Sequence, residues 1–235
     1  MPEHPCPYFP DRVARYRAVR TQQIDPDIYH QFMNVNFRRS GTVLYQPICR
    51  TCSDCVQIRV PVEKFQPRKS HRRCWRANAD LYVDVGPPVL STEKFDLYRR
   101  YVLDWHGDVS IDGEPTEEDL HRFLYDSPAE TLEFTYRDKT GRLLAVGICD
   151  VSVDALSSVY FYFDPTESRR GLGCFGALWE IEWARRHTIA HYYLGYWIKD
   201  CLKMDYKLTY QPAEILSSAG EWLPARVEGD EKSTG

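Results

Sequence analysis

Apolar residues alternate with polar ones, or run together briefly, in several short stretches typical of β-strands. These stretches are 42–46, 56–60, 81–85, 131–137, 142–151, 157–163 and 192–198. Apolar residues spaced three and four positions apart predict helices between them. The helices are one that starts at Asp25-Pro26 and that Gly41 can end, and others over 95–105, 120–124 and 172–187. The pattern therefore predicts a mixed α/β chain of the α+β class.

The composition changes near residue 76. Residues 1–76 carry a net charge of +8 and five of the eight cysteines, whereas residues 77–235 carry −12, so the total of −4 hides an asymmetry. We expect a basic, cysteine-containing N-terminal α/β domain over 1–76, packed on a second domain over 77–216. The polar, glycine-containing stretch 217–235 is expected to be a loose tail.

Several classes of protein are disfavoured by what the sequence lacks. No apolar run approaches the ~18 residues that a membrane span needs, and the start has no basic region followed by an apolar one. We therefore expect a cytoplasmic protein whose cysteines are reduced or bind a metal. The motifs HExxH, GxSxG and GxGxxG and the P-loop are also missing, which gives hydrolase, dehydrogenase and kinase functions little support.

The spacing Cys49-x2-Cys52-x2-Cys55 is the most specific local motif. Two intervening residues allow successive thiolates to turn toward one ion or cluster, and Cys6 is a candidate fourth ligand. We interpret the motif as a zinc or iron–sulfur site, and the spacing does not distinguish the two. Three reduced thiols on a loop are the alternative.

Basic residues cluster at Arg38-Arg39 and again over 68–76, which includes Arg72 and Arg73. Guanidinium groups bind phosphate and interleaved aromatic side chains stack on bases, so these clusters are candidate RNA contacts. A solvated basic face that pairs with acids elsewhere in the chain is the alternative.

A glycine-containing turn follows the strand predicted over 157–163. The segment 168–173 leads from that strand into a helix and directs backbone N–H groups and the helix dipole at an anion. It resembles the pyrophosphate loop of GNAT acyltransferases, and it also fits a simple tight turn. In the next strand, Gly195 marks a position where a ligand or the backbone can approach closely.

Several motifs between residues 4 and 212 together resemble one family. They are His4-Pro5-Cys6-Pro7-Tyr8-Phe9-Pro10, Phe37-Arg38-Arg39-Ser40-Gly41, Tyr45-x-Pro47-x-Cys49-x2-Cys52-x2-Cys55, Ser158-Val159-Tyr160-Phe161-Tyr162-Phe163-Asp164-Pro165 and Leu194-Gly195-Tyr196-Trp197-Ile198-x2-Cys201-x-Lys203-Met204-x-Tyr206-Lys207. In these motifs the chain resembles the bacterial aspartate/glutamate leucyltransferases, which are aminoacyl-tRNA–protein transferases related to eukaryotic arginyltransferase.

The resemblance implies a GNAT-like acyltransferase domain in the C-terminal part of the chain. It also implies that a leucyl group leaves leucyl-tRNA and joins the α-amine of a protein that begins with Asp or Glu, which marks that protein for degradation in an N-degron pathway. The partners are then leucyl-tRNA and the acceptor protein, with no DNA and no membrane, and the chemistry requires no cofactor. The alternatives are an arginyl donor, an acetyl-CoA-dependent N-acyltransferase, and a non-catalytic metal-containing RNA-binding module.

Such a transfer needs little chemical assistance, because the ester is already activated and an α-amine has a reference pKa of about 8. Asp150, near the end of a predicted strand, is the candidate that contacts or deprotonates the amine, and Tyr196 is the second catalytic candidate. A carboxylate satisfied by nearby backbone amides is the alternative for Asp150. Tyr160 and Tyr162 share one face of a strand, where they line the pocket or belong to the core.

An acidic acceptor requires cationic side chains in its pocket. The candidates are Arg72, Arg73, Lys203 and Lys207, and the motif around the two lysines adds Gly195 and Tyr206 as substrate contacts. If the segment from Lys199 is helical, Lys199, Lys203 and Lys207 form one basic face. A leucyl donor requires an apolar pocket, whereas an arginyl donor requires a carboxylate.

Overall fold

The structure is a computed structural model of the chain and describes residues 2–106 and 113–225. In these ranges the strands are β1 (His4–Pro5), β2 (Val13–Ala14), β3 (Tyr16–Arg20), β4 (Arg38–Ser40), β5 (Val43–Pro47), β6 (Cys55–Pro61), β7 (Tyr82–Gly86), β8 (Thr131–Arg137), β9 (Leu143–Val151), β10 (Ala155–Phe163), β11 (His191–Ile198), β12 (Ala213–Leu216) and β13 (Trp222–Ala225). The α-helices are α1 (Pro26–Asn34), α2 (Lys69–Ala77), α3 (Thr92–Arg100), α4 (Glu117–Leu120), α5 (Leu172–Arg186) and α6 (Leu202–Asp205), and α3 and α4 continue as π-helical turns over Tyr101–His106 and His121–Tyr125.

A large sheet organises the described part of the chain. Its strand order is β13-β12-β6-β11-β10-β9-β8-β7, and its neighbouring strands are antiparallel except for β10 and β11. A three-stranded antiparallel sheet, β3-β5-β4, lies beside it. The strand β6 comes from the N-terminal segment but pairs with β11 and β12 of the large sheet. The division into domains at residue 76 stays a prediction.

The parallel pair of strands opens into a gap. β10 and β11 pair from Ala155 opposite His191 to Ser157 opposite Tyr193. Beyond that point β10 continues beside β9, and β11 continues beside β6. Because buried backbone groups must find partners, the gap is a place where a side chain or a ligand can hydrogen-bond to the strands.

Helices cover both faces of the large sheet. In α5, Gly176 lies against the ring of Phe161, which a Cβ at this glycine would approach to 2.1 Å. In α3, the Tyr98 ring lies 5.5 Å from that of Tyr162 and 6.1 Å from that of Tyr160. Alternate residues of a strand point to opposite faces, so α5 and α3 pack on opposite sides of β10.

The first helix is shorter than its sequence pattern predicts. It begins at Pro26 as expected, with Asp25 as its N-cap, but it ends at Asn34 rather than near Gly41. Asn36 adopts a left-handed conformation with φ of 68°, which interrupts the helix. The arginines that follow therefore lie on β4, where alternate side chains point in opposite directions.

The segment from Ser217 differs from the loose tail that the sequence predicts. Residues Trp222–Ala225 form β13, which pairs with β12. The Trp222 indole also packs edge-on against the ring of Tyr193 and donates a hydrogen bond of 3.1 Å to Asn34 Oδ1. These contacts hold the segment to the sheet, and residues 226–235 lie outside the described residues.

Candidate active site

Two cavities meet at the gap between β10 and β11. The first, here called the β4-side cavity, has a volume of about 750 Å³ and is lined by β4, β5, β10 and β11 together with Lys207. The second, the α5-side cavity, has a volume of about 440 Å³ and lies at the start of α5, between Gly171 and Glu180. Five residues line both cavities: Tyr101, Ser158, Phe161, Leu194 and Tyr206. The two cavities are therefore adjacent and differ in composition, with these five residues between them.

Three cationic side chains line the β4-side cavity: Arg39, which is paired with Asp150, and two others. Arg38 Nη2 donates a hydrogen bond of 2.8 Å to the carbonyl oxygen of Ser158, while its Nη1 is buried without a hydrogen-bond partner. Lys207 is 6% exposed, and its Nζ donates a hydrogen bond of 2.5 Å to the carbonyl oxygen of Tyr196. Burial and the nearby Arg38 guanidinium lower the pKa of Lys207 to about 7. Among the described residues, neither Arg38 nor Lys207 has a carboxylate partner.

Gly195 makes room for one of these cations. Its φ is +86°, a conformation that side chains with a Cβ rarely adopt. A Cβ at this position would lie 2.2 Å from Arg38 Nη1. The close approach predicted at Gly195 thus involves the guanidinium of Arg38, a residue distant in sequence.

The predicted site tyrosines occupy different environments. Tyr160 lines the β4-side cavity, whereas Tyr162 is completely buried, with its hydroxyl 3.1 Å from that of Tyr125. Tyr196 also lines this cavity, but its hydroxyl donates to the carbonyl oxygen of Asn36 at 2.9 Å. Tyr162 is therefore a core residue, and the Tyr196 hydroxyl is already engaged by the backbone.

Asp150, the predicted proton acceptor, is completely buried outside both cavities. Arg39 donates to its two carboxylate oxygens at 2.7 and 2.9 Å. The hydroxyl of Tyr29 adds a hydrogen bond of 2.7 Å and that of Thr131 one of 2.8 Å. Asp150 and Arg39 thus form an internal ion pair, and this geometry gives Asp150 a structural role rather than contact with a substrate. Arg39 also lines the β4-side cavity, and its Nη1 is buried without a hydrogen-bond partner within the described ranges.

The α5-side cavity is mostly apolar but contains one carboxyl group, that of Glu180. This residue is 1% exposed, and the Tyr192 hydroxyl donates to its Oε2 at 2.5 Å. Burial raises the pKa of Glu180 to about 7. Glu180 is not among the residues that the sequence predicts for the site. A signal was available: Glu180 lies four residues after Gly176 and four before Ala184, which are both on the buried side of the helix, so this spacing indicates a buried carboxyl group.

Other predicted cationic contacts lie outside the two cavities. Lys203 is exposed on α6, and Arg72 and Arg73 are exposed on α2. The basic face predicted for Lys199, Lys203 and Lys207 does not form, because α6 ends at Asp205 and Lys207 is buried.

The four predicted metal ligands, Cys6, Cys49, Cys52 and Cys55, line one small cavity. Within residues 2–106 and 113–225, no group of three His, Cys, Asp or Glu side chains is arranged to hold a metal ion. The geometry therefore does not support the predicted zinc or iron–sulfur site.

The gap between the parallel strands, next to a helix that starts at a glycine turn, defines a GNAT-like acyltransferase fold. A solved structure described as a lysylphosphatidylglycerol synthetase C-terminal domain from Agrobacterium fabrum matches with a TM-score of 0.51 and 12% identity, over 88% of this chain and 65% of that one. At this identity the match supports the fold alone, and it confirms the predicted fold class.

Sequence comparisons define the family. Residues 4–73 match the profile "Arginine-tRNA-protein transferase, N terminus", and residues 93–217 match the corresponding C-terminal profile. The chain belongs to the arginine-tRNA–protein transferase family, which confirms the resemblance and makes it an aminoacyltransferase that uses an aminoacyl-tRNA and a protein acceptor. In the part of the chain that the structure describes, no helix is long and apolar enough to cross a membrane.

Two relatives are named "Aspartate/glutamate leucyltransferase". The protein of Alcanivorax borkumensis is 44% identical over 222 residues, which cover 94% of this chain and 90% of the relative. That of Hahella chejuensis is 39% identical over 216 residues, or 92% of each chain.

Proposed function

We propose that the chain transfers a leucyl group from leucyl-tRNA to the α-amine of proteins that begin with Asp or Glu. The observation that carries this proposal is the pair of cations in the β4-side cavity, Arg38 and Lys207, which lack a carboxylate partner among the described residues. The names of the relatives support the same donor and the same acceptors.

The two cations favour an acceptor with a carboxylate side chain. A buried positive charge is costly unless an anion accompanies it. The Nη1 of Arg38 is also a hydrogen-bond donor that has no acceptor atom among the described residues. A carboxylate from Asp or Glu supplies both the charge and the acceptor atom, whereas Asn or Gln supplies only an uncharged oxygen. The β4-side cavity is therefore assigned to the N-terminal residue of the acceptor.

The α5-side cavity suits the donor. Phe161, Leu172, Ala177 and Leu194 provide apolar surface for a leucyl side chain. The acceptor amine and the donor ester then meet at the residues that both cavities share. In the reaction the amine nitrogen bonds to the carbonyl carbon, the ester C–O bond breaks, and the tRNA hydroxyl leaves with a proton. Orientation of an activated ester supplies most of the catalysis.

The Tyr206 hydroxyl is assigned to the reacting carbonyl. Tyr206 is one of the residues that line both cavities, so it borders the place where amine and ester meet. The reference pKa of a tyrosine is about 10, so at neutral pH the hydroxyl is protonated and can donate a hydrogen bond to the developing oxyanion.

The tRNA is assigned to the surface around the glycine turn. Arg73 and Arg169 are exposed there and have no ion pair within the described ranges. Arg169 lies two residues before Gly171, and Arg73 lies next to Cys74, whose thiol donates to the Gly171 carbonyl oxygen at 3.4 Å. Both arginines therefore lie near the glycine turn that borders the α5-side cavity. We assign the protein to the cytoplasm, where aminoacyl-tRNA is made, and its leucine-bearing product to degradation.

The test offers peptides that begin with Glu, Asp or Gln together with leucyl-tRNA or arginyl-tRNA and measures by mass spectrometry which residue is added. We expect leucine on the Glu and Asp peptides and little addition to the Gln peptide. Addition of arginine but not leucine, or equal use of Gln and Glu, contradicts the proposal.

A further inference from the structure

Glu180 is an unusual residue for the buried face of a helix. A buried carboxylate loses its hydration and is costly unless it is paired. The Tyr192 hydroxyl satisfies Oε2, but Oε1 is buried without a hydrogen-bond partner. The thiol of Cys149, a weak donor, lies beside the carboxyl group. The neighbouring acid of the same helix, Glu182, is instead paired with Arg185 and Arg186.

The surroundings of Glu180 contain no cation that could pair with it. Its cavity is lined by aromatic, aliphatic, hydroxyl and small residues, and among the described residues none of the lining side chains is Arg, Lys or His. Oε1 lies against Gly147 of β9, where a Cβ would approach it to 2.3 Å, and the described residues supply no cation to this carboxyl group. A positively charged or hydrogen-bond-donating group of a ligand in the cavity would stabilise its ionised form.

We propose that Glu180 binds the α-ammonium group of the aminoacyl donor. This inference rests on the proposed function, since it places the leucyl ester in the α5-side cavity. Besides its ester, a leucyl group carries a single polar substituent, the α-amine. That amine is bonded to the carbon next to the reacting carbonyl, so its position determines where the ester lies. Glu180 is thus a binding residue that orients the donor.

The proton balance favours an ion pair. Burial raises the pKa of Glu180 because it disfavours the charged carboxylate. A cationic ammonium group beside the carboxyl group offsets this effect and stabilises the ionised form. The resulting charged hydrogen bond is stronger than a neutral one.

The two cavities then have opposite charge. The β4-side cavity contains Arg38 and Lys207, which attract the acceptor's carboxylate, and the α5-side cavity contains Glu180, which attracts the donor's ammonium. Each substrate is repelled or poorly paired in the other cavity. Both the donor and the acceptor carry an α-amine. The opposite charges of the two cavities explain how the protein distinguishes one from the other.

The test compares two donors and three proteins. The donors are leucyl-tRNA and the same tRNA esterified with 2-hydroxy-4-methylpentanoate, in which a hydroxyl replaces the α-amine. The proteins are the wild type, Glu180→Gln and the control Glu182→Gln, which makes the same change on the same helix outside the cavity. The acceptor is a peptide that begins with Glu, and kcat/KM is measured at saturating peptide.

In the wild type and in Glu182→Gln, we expect the hydroxy donor to lower kcat/KM about 10- to 100-fold, the value of a charged hydrogen bond. In Glu180→Gln, leucyl transfer should fall by a similar factor, and the two donors should differ by less than about threefold, because the charged pair no longer forms.

Two results overturn the inference alone. The first is equal use of both donors by the wild type, which is informative even if Glu180→Gln fails to fold. The second is wild-type discrimination retained in Glu180→Gln. Absence of leucyl transfer by the wild type overturns the proposed function and this inference with it.

Discussion

The guanidinium of Arg38 occupies the space that a side chain at Gly195 would fill. A Cβ on Gly195 would lie 2.2 Å from Arg38 Nη1. The same guanidinium donates to the carbonyl oxygen of Ser158 on the opposite strand of the gap. A cation from the three-stranded sheet is thereby inserted between β10 and β11, where it satisfies the backbone and faces the β4-side cavity.

Replacement of Gly195 by alanine tests this relationship. We expect Gly195→Ala to lower the free energy of unfolding by about 1–3 kcal/mol through backbone strain and to reduce transfer to a Glu peptide more than tenfold, because Arg38 is displaced. Gly220→Ala is the matched control, since Gly220 has φ of +81° and no atom within 4 Å of its Cβ position. Urea denaturation and steady-state kinetics measure both effects. Equal activity of the two variants would contradict the assignment.

Arg38→Met should remove the preference for an acidic acceptor. We expect kcat/KM for a Glu peptide to fall about 10- to 100-fold, with little change for a Gln peptide, because only the carboxylate loses a charged hydrogen bond. Arg17→Met, the same change at an exposed position of β3, serves as the control. If the Glu and Gln peptides decline by the same factor in Arg38→Met, the cavity does not bind the acidic side chain.

The pH dependence should report Lys207. Its pKa is lowered to about 7, so the free enzyme loses this positive charge as the pH rises through 7. Values of kcat/KM for a Glu peptide should therefore rise with deprotonation of the peptide amine and decline with deprotonation of Lys207. The declining limb should be absent for a Gln peptide and in Lys207→Met. A declining limb that persists in Lys207→Met would exclude this lysine as its source.

Asp150→Asn separates a structural role from a catalytic one. We expect it to lower the free energy of unfolding by about 3–5 kcal/mol, the cost of breaking a buried ion pair, because the Arg39 charge is left unpaired. Thr131→Ala removes one hydrogen bond to the same carboxylate and should cost about 1 kcal/mol. A stable Asp150→Asn protein with a large loss in kcat would restore Asp150 as a catalytic residue.

Substitution of the two arginines near the glycine turn should weaken tRNA binding. The double variant Arg73→Gln, Arg169→Gln is expected to lower affinity and to reduce the slope of log affinity against log salt by about 2, or about 1 per phosphate contact. Lys139→Gln, an exposed change in the turn before β9, should leave the slope unchanged. Filter binding over a series of salt concentrations measures this slope. An unaltered slope in the double variant would show that the tRNA does not bind at the surface around the glycine turn.

The local elements were largely predictable from the sequence. Strand β11 and helix α5 follow the predicted ranges within one residue at each end, because their apolar patterns depend on near neighbours. The helix from Pro26 was predicted too long because the left-handed turn at Asn36 carries no strong local signal. The four-residue helix α6 likewise breaks the periodicity assumed for the three lysines.

The sequence by itself determined β5 to β11, the long helix, the glycine turn and, through its motifs, the family. Only the tertiary structure decided which charges face the cleft. Arg39 meets Asp150 across 111 positions, so its charge is already paired, whereas Arg38, the adjacent residue, reaches Ser158 across 120 positions and enters the gap without a carboxylate partner among the described residues. Adjacent residues of a strand point to opposite sides, and what each one contacts depends on strands brought together by folding. For this reason two neighbouring arginines have different partners: a carboxylate for Arg39 and a backbone carbonyl oxygen for Arg38.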